Sequence, residues 1–353
     1  MTNAPSIPFD DLHRFVSKAL ATTGMPNEQA RIVADTLATT DAMGVYTHGT
    51  KLLLGYIKKL QAGGYDPRGV PMIERQGPAW GIIDGQSALG MIGCNAAMEL
   101  AVQKAKQTGI AYVGLKHTAH VGAIGYYASM GARQGCITMV TGNDIPSVAA
   151  PGSCKAVLGS NPIAYGIPRI GRDPIFLDMA TAATAGGKVY AACQRGEPIP
   201  DTWLVGPDGK PTTDGSLYPA SAALAPMAGH KGYGIGLWCE ILSAILPGGN
   251  HTWNVGSWLF DDPSKPSNHT ASFTAIDVSV ISDPNRFDIQ LQSLIDEIHA
   301  APRAEGSSGV LLPGQREWSQ FHHSKSSGIS LPIDVLDKLM LVAQATGVGP
   351  DWL

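Results

Sequence analysis

The sequence predicts an α/β fold: a mixed core of strands and helices, capped by helices from both ends of the chain. Strand–loop–helix patterns alternate through the middle of its 353 residues. Apolar residues recur at helical spacing toward both ends. No Gly-x-Gly-x-x-Gly stands between a strand and a helix followed by an acidic residue. The Rossmann fingerprint is therefore absent, and any dinucleotide must be held some other way.

The first sixty residues read as helices. Asp10 and Asp11 suit the first turn of Leu12–Thr22, Gly24 suits its end, and Pro26-Asn27-Glu28 opens the next. Apolar-periodic runs follow at Ala30–Met43 and Leu52–Leu60, and Gly63–Pro67 is a loop and lobe boundary. Trp80–Gly85 reads as a strand, Cys94–Lys106 as a helix closed by Gly109, and Ile110–Leu115 as a buried strand leading into the loop His117–Ala123. A helix through Tyr126–Arg133 and a strand at Cys136–Val140 come next. Asn143–Pro168 is rich in turn formers, with a strand-like run after Asn161-Pro162, and Ile175–Ala180 is another strand. Gly196–Gly215 reads as a long polar loop. Gly229–Gly234 opens a helix with Trp238, Ile241, Leu242 and Ile245 as its apolar face. Pro247–His269 reads as an irregular surface insertion or arm, Phe273–Ser279 as a strand, and Phe287–Ala301 and Pro332–Ala345 as helices.

Composition narrows the function. A formal charge of −4 leaves no basic footprint, so nucleic acid is not an expected partner. Charged residues make up only 15% of the chain, which implies much buried surface, a subunit interface included. Met1–Phe9 lacks the basic and apolar regions of a secretory leader, and no apolar run reaches membrane-spanning length, so no membrane partner is expected. Five scattered cysteines without a Cys-x-x-Cys read as reduced thiols of a cytoplasmic protein.

Thr47-His48-Gly49 lies between two helical runs and joins a hydroxyl, an imidazole and a small residue. A histidine can exchange a proton near neutral pH, and the hydroxyl can orient its ring. A satisfied structural histidine is the competing reading. His120, followed by Val121-Gly122-Ala123, lies after a buried strand, at the edge where ligands bind in α/β sheets. Two loop histidines bonded to carbonyls would look the same. A zinc site is not expected, because His117 and His120 have no third ligand nearby. Gly229-His230-Lys231-Gly232 at a helix start suits phosphate, through free N–H groups and the lysine, although close helix packing also explains the glycines. Asp178-Met179-Ala180 ends a strand, where the carboxylate could accept from ribose hydroxyls or cap the next segment. Arg303 and Gly306 could contact an anion; by spacing alone Arg303 reads as solvated.

These pieces occur in one order: Asp41-x6-His48-Gly49, Tyr56, His120-x-Gly122-Ala123, Gly159-Ser160-Asn161-Pro162, Asp178-Met179-Ala180-Thr181, Gly229–Gly234, Ala301-Pro302-Arg303-x2-Gly306 and Leu312-Pro313-Gly314. As a set they resemble the type 2 malate/L-lactate dehydrogenase family, which includes sulfolactate and ureidoglycolate dehydrogenases and piperideine-2-carboxylate reductases. The resemblance spans roughly Phe9 to Gly347. It implies the family's non-Rossmann NAD(P)-binding core and a homodimer. It also implies hydride transfer between nicotinamide and a 2-hydroxy or 2-keto acid, a small-molecule substrate. NAD and NADP stay open. Val121, Gly122, Ala123, Ser160, Asp178, Met179, Ala180, Lys231, Arg303 and Gly306, with His120, would line the cofactor. His48, oriented by Thr47, is the expected acid/base; His120 is its rival, or the two divide the work. Tyr56, position 52 and Lys188 would face substrate. On this reading residues 1–75 form an N-terminal helical segment carrying the acid/base motif. Residues 76–300 form the mixed α/β region, with the NAD(P)-binding core at about 117–300, and 301–353 pack back on the N-terminal helices.

Three departures from the family's pattern matter. Thr47 stands where serine is usual, and Leu52 where many members carry an arginine that grips the substrate carboxylate, as a leucine cannot. Lys188 stands where the cyclic-imine reductases carry aspartate, which argues against the imine reaction. Lys188 or Lys51 could supply the missing positive charge. A member that keeps only cofactor binding is the alternative of a different class.

Overall fold

A computed structural model describes residues 6–352; the first five residues of the Met1–Phe9 segment lie outside the described residues. The chain opens with helices Phe9–Ala21, Asn27–Ala42 and Leu53–Ala62. Pro8 and Pro26 precede the first two, where a missing N–H costs nothing. The first helix buries Leu12, Phe15, Val16, Ala19 and Leu20, a stripe at i, i+3, i+4, i+7 and i+8.

The C-terminal end closes on these helices. Ile333–Thr346 packs on Leu53–Ala62, and Gln315–Ser327 packs on Asn27–Ala42. The short strand Ile329–Ser330 pairs antiparallel with Ser6–Ile7. Phe15, Leu37, Tyr56, Ile57, Val335 and Leu339 share one buried core.

The central sheet has seven strands in the order Met72–Gly77, Trp80–Asp84, Ile110–Thr118, His269–Asp277, Cys136–Gly142, Ile163–Ile167, Ile175–Met179. Only the Trp80–Asp84 and Ile110–Thr118 pair is parallel. The helix Gly90–Thr108 makes the crossover between them, as a parallel pair requires. With Gly125–Ala132 it packs against the sheet around Met98, Val113, Tyr127, Val140 and Phe273. The helix His230–Glu240 and its π-helical continuation Ile241–Ile245 also pack on the sheet. A second sheet of five short strands runs Pro211–Thr212, Leu204–Val205, Ala223–Leu224, Val148–Ala149, Ala156–Leu158. It shares a small core with the helix Gly186–Gln194, through Val148, Val189, Leu204 and Leu224.

Several local expectations need correction. The segments Asn143–Pro168 and Gly196–Gly215 contain strands of the small sheet, each too short to show a period. The helix face given as Trp238, Ile241, Leu242 and Ile245 points outward: Leu237, Trp238, Ile241 and Ile245 are exposed, while Cys239, Glu240, Ser243 and Ala244 are buried. Pro247–His269 is irregular but is no free arm, because Trp258, Ser267 and His269 are buried. The strand expected from Phe273 begins at His269. Among the described residues no helix is long and apolar enough to cross a membrane.

Candidate active site

Antiparallel pairing gathers the site at one edge of the central sheet. His269 opens its strand opposite Thr118, at the end of Ile110–Thr118, and Ala271 lies opposite Gly142, at the end of Cys136–Gly142. The loop carrying His120 and the segment carrying Asp144 therefore leave the sheet side by side. The helical cap supplies the opposite wall through Thr47, His48 and Tyr56.

His48 sits on a tight loop built over a carboxylate. Asp41, fully buried, accepts at Oδ2 from the Thr50 N–H at 3.0 Å and from the Thr50 hydroxyl. A Cβ on Gly49 would lie 1.8 Å from Asp41 Oδ1, so only glycine fits there. Burial, only partly offset by the two Thr50 bonds, pushes the Asp41 carboxyl up to about 7. Above that loop the Thr47 hydroxyl and His48 Nδ1 are 3.0 Å apart. Burial holds His48 below the ordinary histidine range, with Asp144 pulling weakly the other way.

His120 faces His48, with ring centroids 6.0 Å apart and planes within 25°. Its Nδ1 is 2.8 Å from the Tyr56 hydroxyl, and its ring stacks on Trp258 at 4.6 Å. Trp258 also stacks on Tyr56, at 5.1 Å, and sits so close to Gly55 that a Cβ there would be 3.0 Å from its ring. Burial is the largest cause pushing His120 down to about 3, helped by His269 and His48 and opposed by Asp144. Both histidines are therefore neutral at pH 7. The Tyr56 phenol, fully buried, is held well above its usual range and stays protonated.

A second layer runs behind His120. His269 crosses it edge-on at 5.7 Å; its Nδ1 is 2.9 Å from Ser267 Oγ and its Nε2 3.2 Å from Asp144 Oδ1. Ser267 in turn meets the Tyr65 hydroxyl at 2.8 Å. Burial works to raise the Asp144 carboxyl, but the His269 bond and charge, with His120 and the Ile145 N–H, outweigh it and keep Asp144 below its usual value. None of Trp258, His269, Ser267, Tyr65 and Asp144 was singled out from the sequence. Their contacts join segments 125 to 202 residues apart for the His269–Asp144 and Tyr65–Ser267 pairs, and no local pattern marks them. A signal was available at His269 alone, a histidine opening an apolar strand pattern.

The remaining expected residues fall into three groups. Val121 and Gly122 are buried in the loop before Gly125–Ala132, with Gly122 at φ +72, and Ala123 is half-buried. Asp178, at the end of Ile175–Met179, accepts from the Gly125 N–H at 2.7 Å, so one carboxylate oxygen holds the start of the earlier helix Gly125–Ala132 and not the segment that follows it. The Ser160 carbonyl accepts from the Thr181 hydroxyl and N–H, which ties the Ser160 loop to the segment after Asp178-Met179-Ala180. Asn161 holds the same loop to the helix His230–Glu240 by donating to Gly236 O and to Glu240.

Lys231 is exposed in the first turn of that helix and has no carboxylate partner among the described residues. Gly232 is required there by close approach to the Met227 carbonyl, so the packing reading holds for that glycine. Arg303 and Gly306 are exposed in the segment between Pro284–Ala300 and Gln315–Ser327, and the structure brings neither into contact with the residues above. Leu52 packs against the N-terminal core. Lys51 does not supply a free charge, because its Nζ is 2.6 Å from Asp334; Lys188 is exposed in the first turn of Gly186–Gln194. His117 is no partner for His120: its Nδ1 bonds Asp84 at 2.8 Å.

The donor set suits a dinucleotide. A helix start with free N–H groups and an unpaired lysine can meet phosphate, and a Cβ at Gly229 would meet only open space. Two facing neutral imidazoles can handle the proton of a hydroxyl or carbonyl oxygen.

A family model described as malate/L-lactate dehydrogenase matches residues 7–340. The malate dehydrogenase of Pyrococcus abyssi is 34% identical over 98% of this chain and 96% of its own length. The L-sulfolactate dehydrogenase of Methanothermobacter thermautotrophicus is 33% identical over 95% of this chain and 96% of its own. Among solved structures, the malate dehydrogenase of Entamoeba histolytica superposes with a TM-score of 0.91 at 27% identity, covering 98% of this chain and 99% of that one.

Proposed function

The chain belongs to the malate/L-lactate dehydrogenase family, and from that premise we propose a division of labour between its two histidines in an NAD(P)-dependent hydride transfer. The protein is an oxidoreductase acting on the CH–OH group of a 2-hydroxy acid or related compound, and on the matching 2-keto compound in reverse. Bound nicotinamide supplies the hydride acceptor or donor. The loop Val121–Ala123, Ser160, Asp178, Met179, Ala180 and the His230–Glu240 helix start with Lys231 would hold the cofactor, and Arg303 and Gly306 would border it.

His48 is the acid/base. In this role the tautomer has Nδ1–H donating to Thr47 Oγ1, 3.0 Å away, which leaves the Nε2 lone pair free to take the hydroxyl proton as the substrate is oxidised. His120 is the polarising group. The protonated Tyr56 phenol donates to its Nδ1, which fixes the proton on Nε2 as a donor toward the substrate oxygen. The observation that carries this reading is the facing of two neutral imidazoles, each with Nδ1 held by a hydroxyl.

The same reading includes a homodimer and a cytoplasmic setting. Exposed Leu237, Trp238, Ile241, Ile245 and Leu246 form an apolar face that a second copy would cover, and five unpaired cysteines fit a reducing compartment. Light scattering on the purified chain tests the first. For the reaction, fluorescence of NADH and of NADPH on binding should identify the cofactor, and a panel of 2-keto acids should then show its oxidation. Cofactor binding without turnover across the panel would overturn the enzymatic reading in favour of a binding role.

A further inference from the structure

The charges around the paired histidines are one-sided. Both imidazoles are neutral, and the carboxylate whose charge reaches both is Asp144, in the layer behind His120. Three lysines are committed elsewhere, Lys51 to Asp334, Lys116 to Glu74, and Lys59 to the carbonyls of Asp262 and Lys265, while Lys188 is exposed on the helix Gly186–Gln194. Within Asp144 the two oxygens differ. Oδ1 takes both His269 Nε2 at 3.2 Å and the Ile145 N–H at 2.8 Å. Oδ2 has no partner among the described residues, and about a third of the side chain (32%) is open to solvent. Rigid tethering of one oxygen leaves the other fixed in position, which is what a recognition group needs.

We propose that Asp144 determines specificity: its free Oδ2 accepts a hydrogen bond from a donor group on the substrate, so the site selects a 2-hydroxy or 2-keto compound bearing an amide, hydroxyl or ammonium over one bearing a second carboxylate. The selection has an attractive and a repulsive half. A donor meets an anchored carboxylate, whereas a second carboxylate meets a like charge. Leu52, in the helical cap that forms the opposite wall, packs into the N-terminal core and gives an anion nothing to hold. This inference rests on the hydroxy-acid reading above.

The test compares 2-oxosuccinate with its 4-amide, in the wild type and in Asp144→Asn. The wild type should favour the amide in kcat/KM by about tenfold or more. Asp144→Asn should bring the ratio near one, by lowering KM for the dicarboxylate and raising it for the amide. A wild-type preference for the dicarboxylate would overturn the proposal. So would equal losses for both compounds in Asp144→Asn and in His269→Gln, which would reduce Asp144 to a tether for His269. Calorimetric binding of both compounds to the enzyme with oxidised cofactor, in which a 2-keto compound cannot react, reads the same preference without turnover. If the preference appears there and disappears in Asp144→Asn, the proposal stands even where the hydride-transfer reading fails. If neither compound binds, the proposal falls.

Discussion

The two histidines present the same bond in opposite settings. His48 rests on a loop between helices, its Nδ1 partnered by an exposed threonine and its backbone fixed from below by Asp41. His120 stands at the end of a sheet strand inside an aromatic box of Tyr56 and Trp258, with His269 behind it. One hydroxyl rotates at the surface; the other is a buried phenol with a single partner. The lesson concerns freedom: a ring that must cycle its proton sits where its partner can adjust. A ring that must keep one tautomer sits where nothing can move.

Gly49→Ala attacks the first setting at its base. A methyl 1.8 Å from Asp41 Oδ1 forces the loop off its carboxylate, and denaturant unfolding should show a loss of about 3 kcal/mol or more. A loss under about 0.5 kcal/mol would mean the loop is not seated on Asp41 as described.

Opposite pH dependences sharpen the contrast next. Asp41 is raised to about 7, so the stability it contributes is complete below its unfolded value near 4 and is lost as pH rises through 7. His120 is lowered to about 3, so its contribution is complete above about 6.5 and is lost as pH falls toward 3. Each swing is on the order of a few kcal/mol. Melting temperatures across pH 4 to 9 should therefore rise at the alkaline end in Asp41→Asn, and His120→Asn should flatten the acid limb. Parallel curves for variants and wild type would contradict both assignments.

Tyr56→Phe probes the box. It leaves His120 Nδ1 without its donor and frees the tautomer, so kcat should drop about 10- to 100-fold with KM little changed. Thr47→Val is the mildest change. Its hydroxyl is exposed and water can replace it, so a loss of kcat within about tenfold is expected, smaller than for Tyr56→Phe. Reversal of that order would reverse the roles given to the two settings.

The sequence made one setting far more legible than the other. Thr47, His48 and Gly49 are consecutive, and the apolar runs on either side place them on an interhelical loop. Tyr56 was reached only through the ordered motif set, and His120 through its place just after a buried strand. The box behind His120 was hidden, because Trp258 lies in an aperiodic stretch and His269 meets Asp144 only once its strand inserts between Ile110–Thr118 and Cys136–Gly142. The α/β core with helical caps was readable from periodicity and from the missing glycine fingerprint. The five-stranded sheet was not, since strands of two or three residues carry no period. Lys51 looked free in the sequence because Asp334 is 283 residues away.

The central claim is that His48 carries the proton while His120 polarises the oxygen. Chemical rescue tests it most directly, by adding imidazole to His48→Ala and His120→Ala during oxidation of a 2-hydroxy acid. His48→Ala should lose about 10²- to 10⁴-fold in kcat and recover part of it with imidazole, whereas His120→Ala should lose less and gain nothing from imidazole. Rescue of His120→Ala, with His48→Ala retaining wild-type turnover, would contradict the assignment.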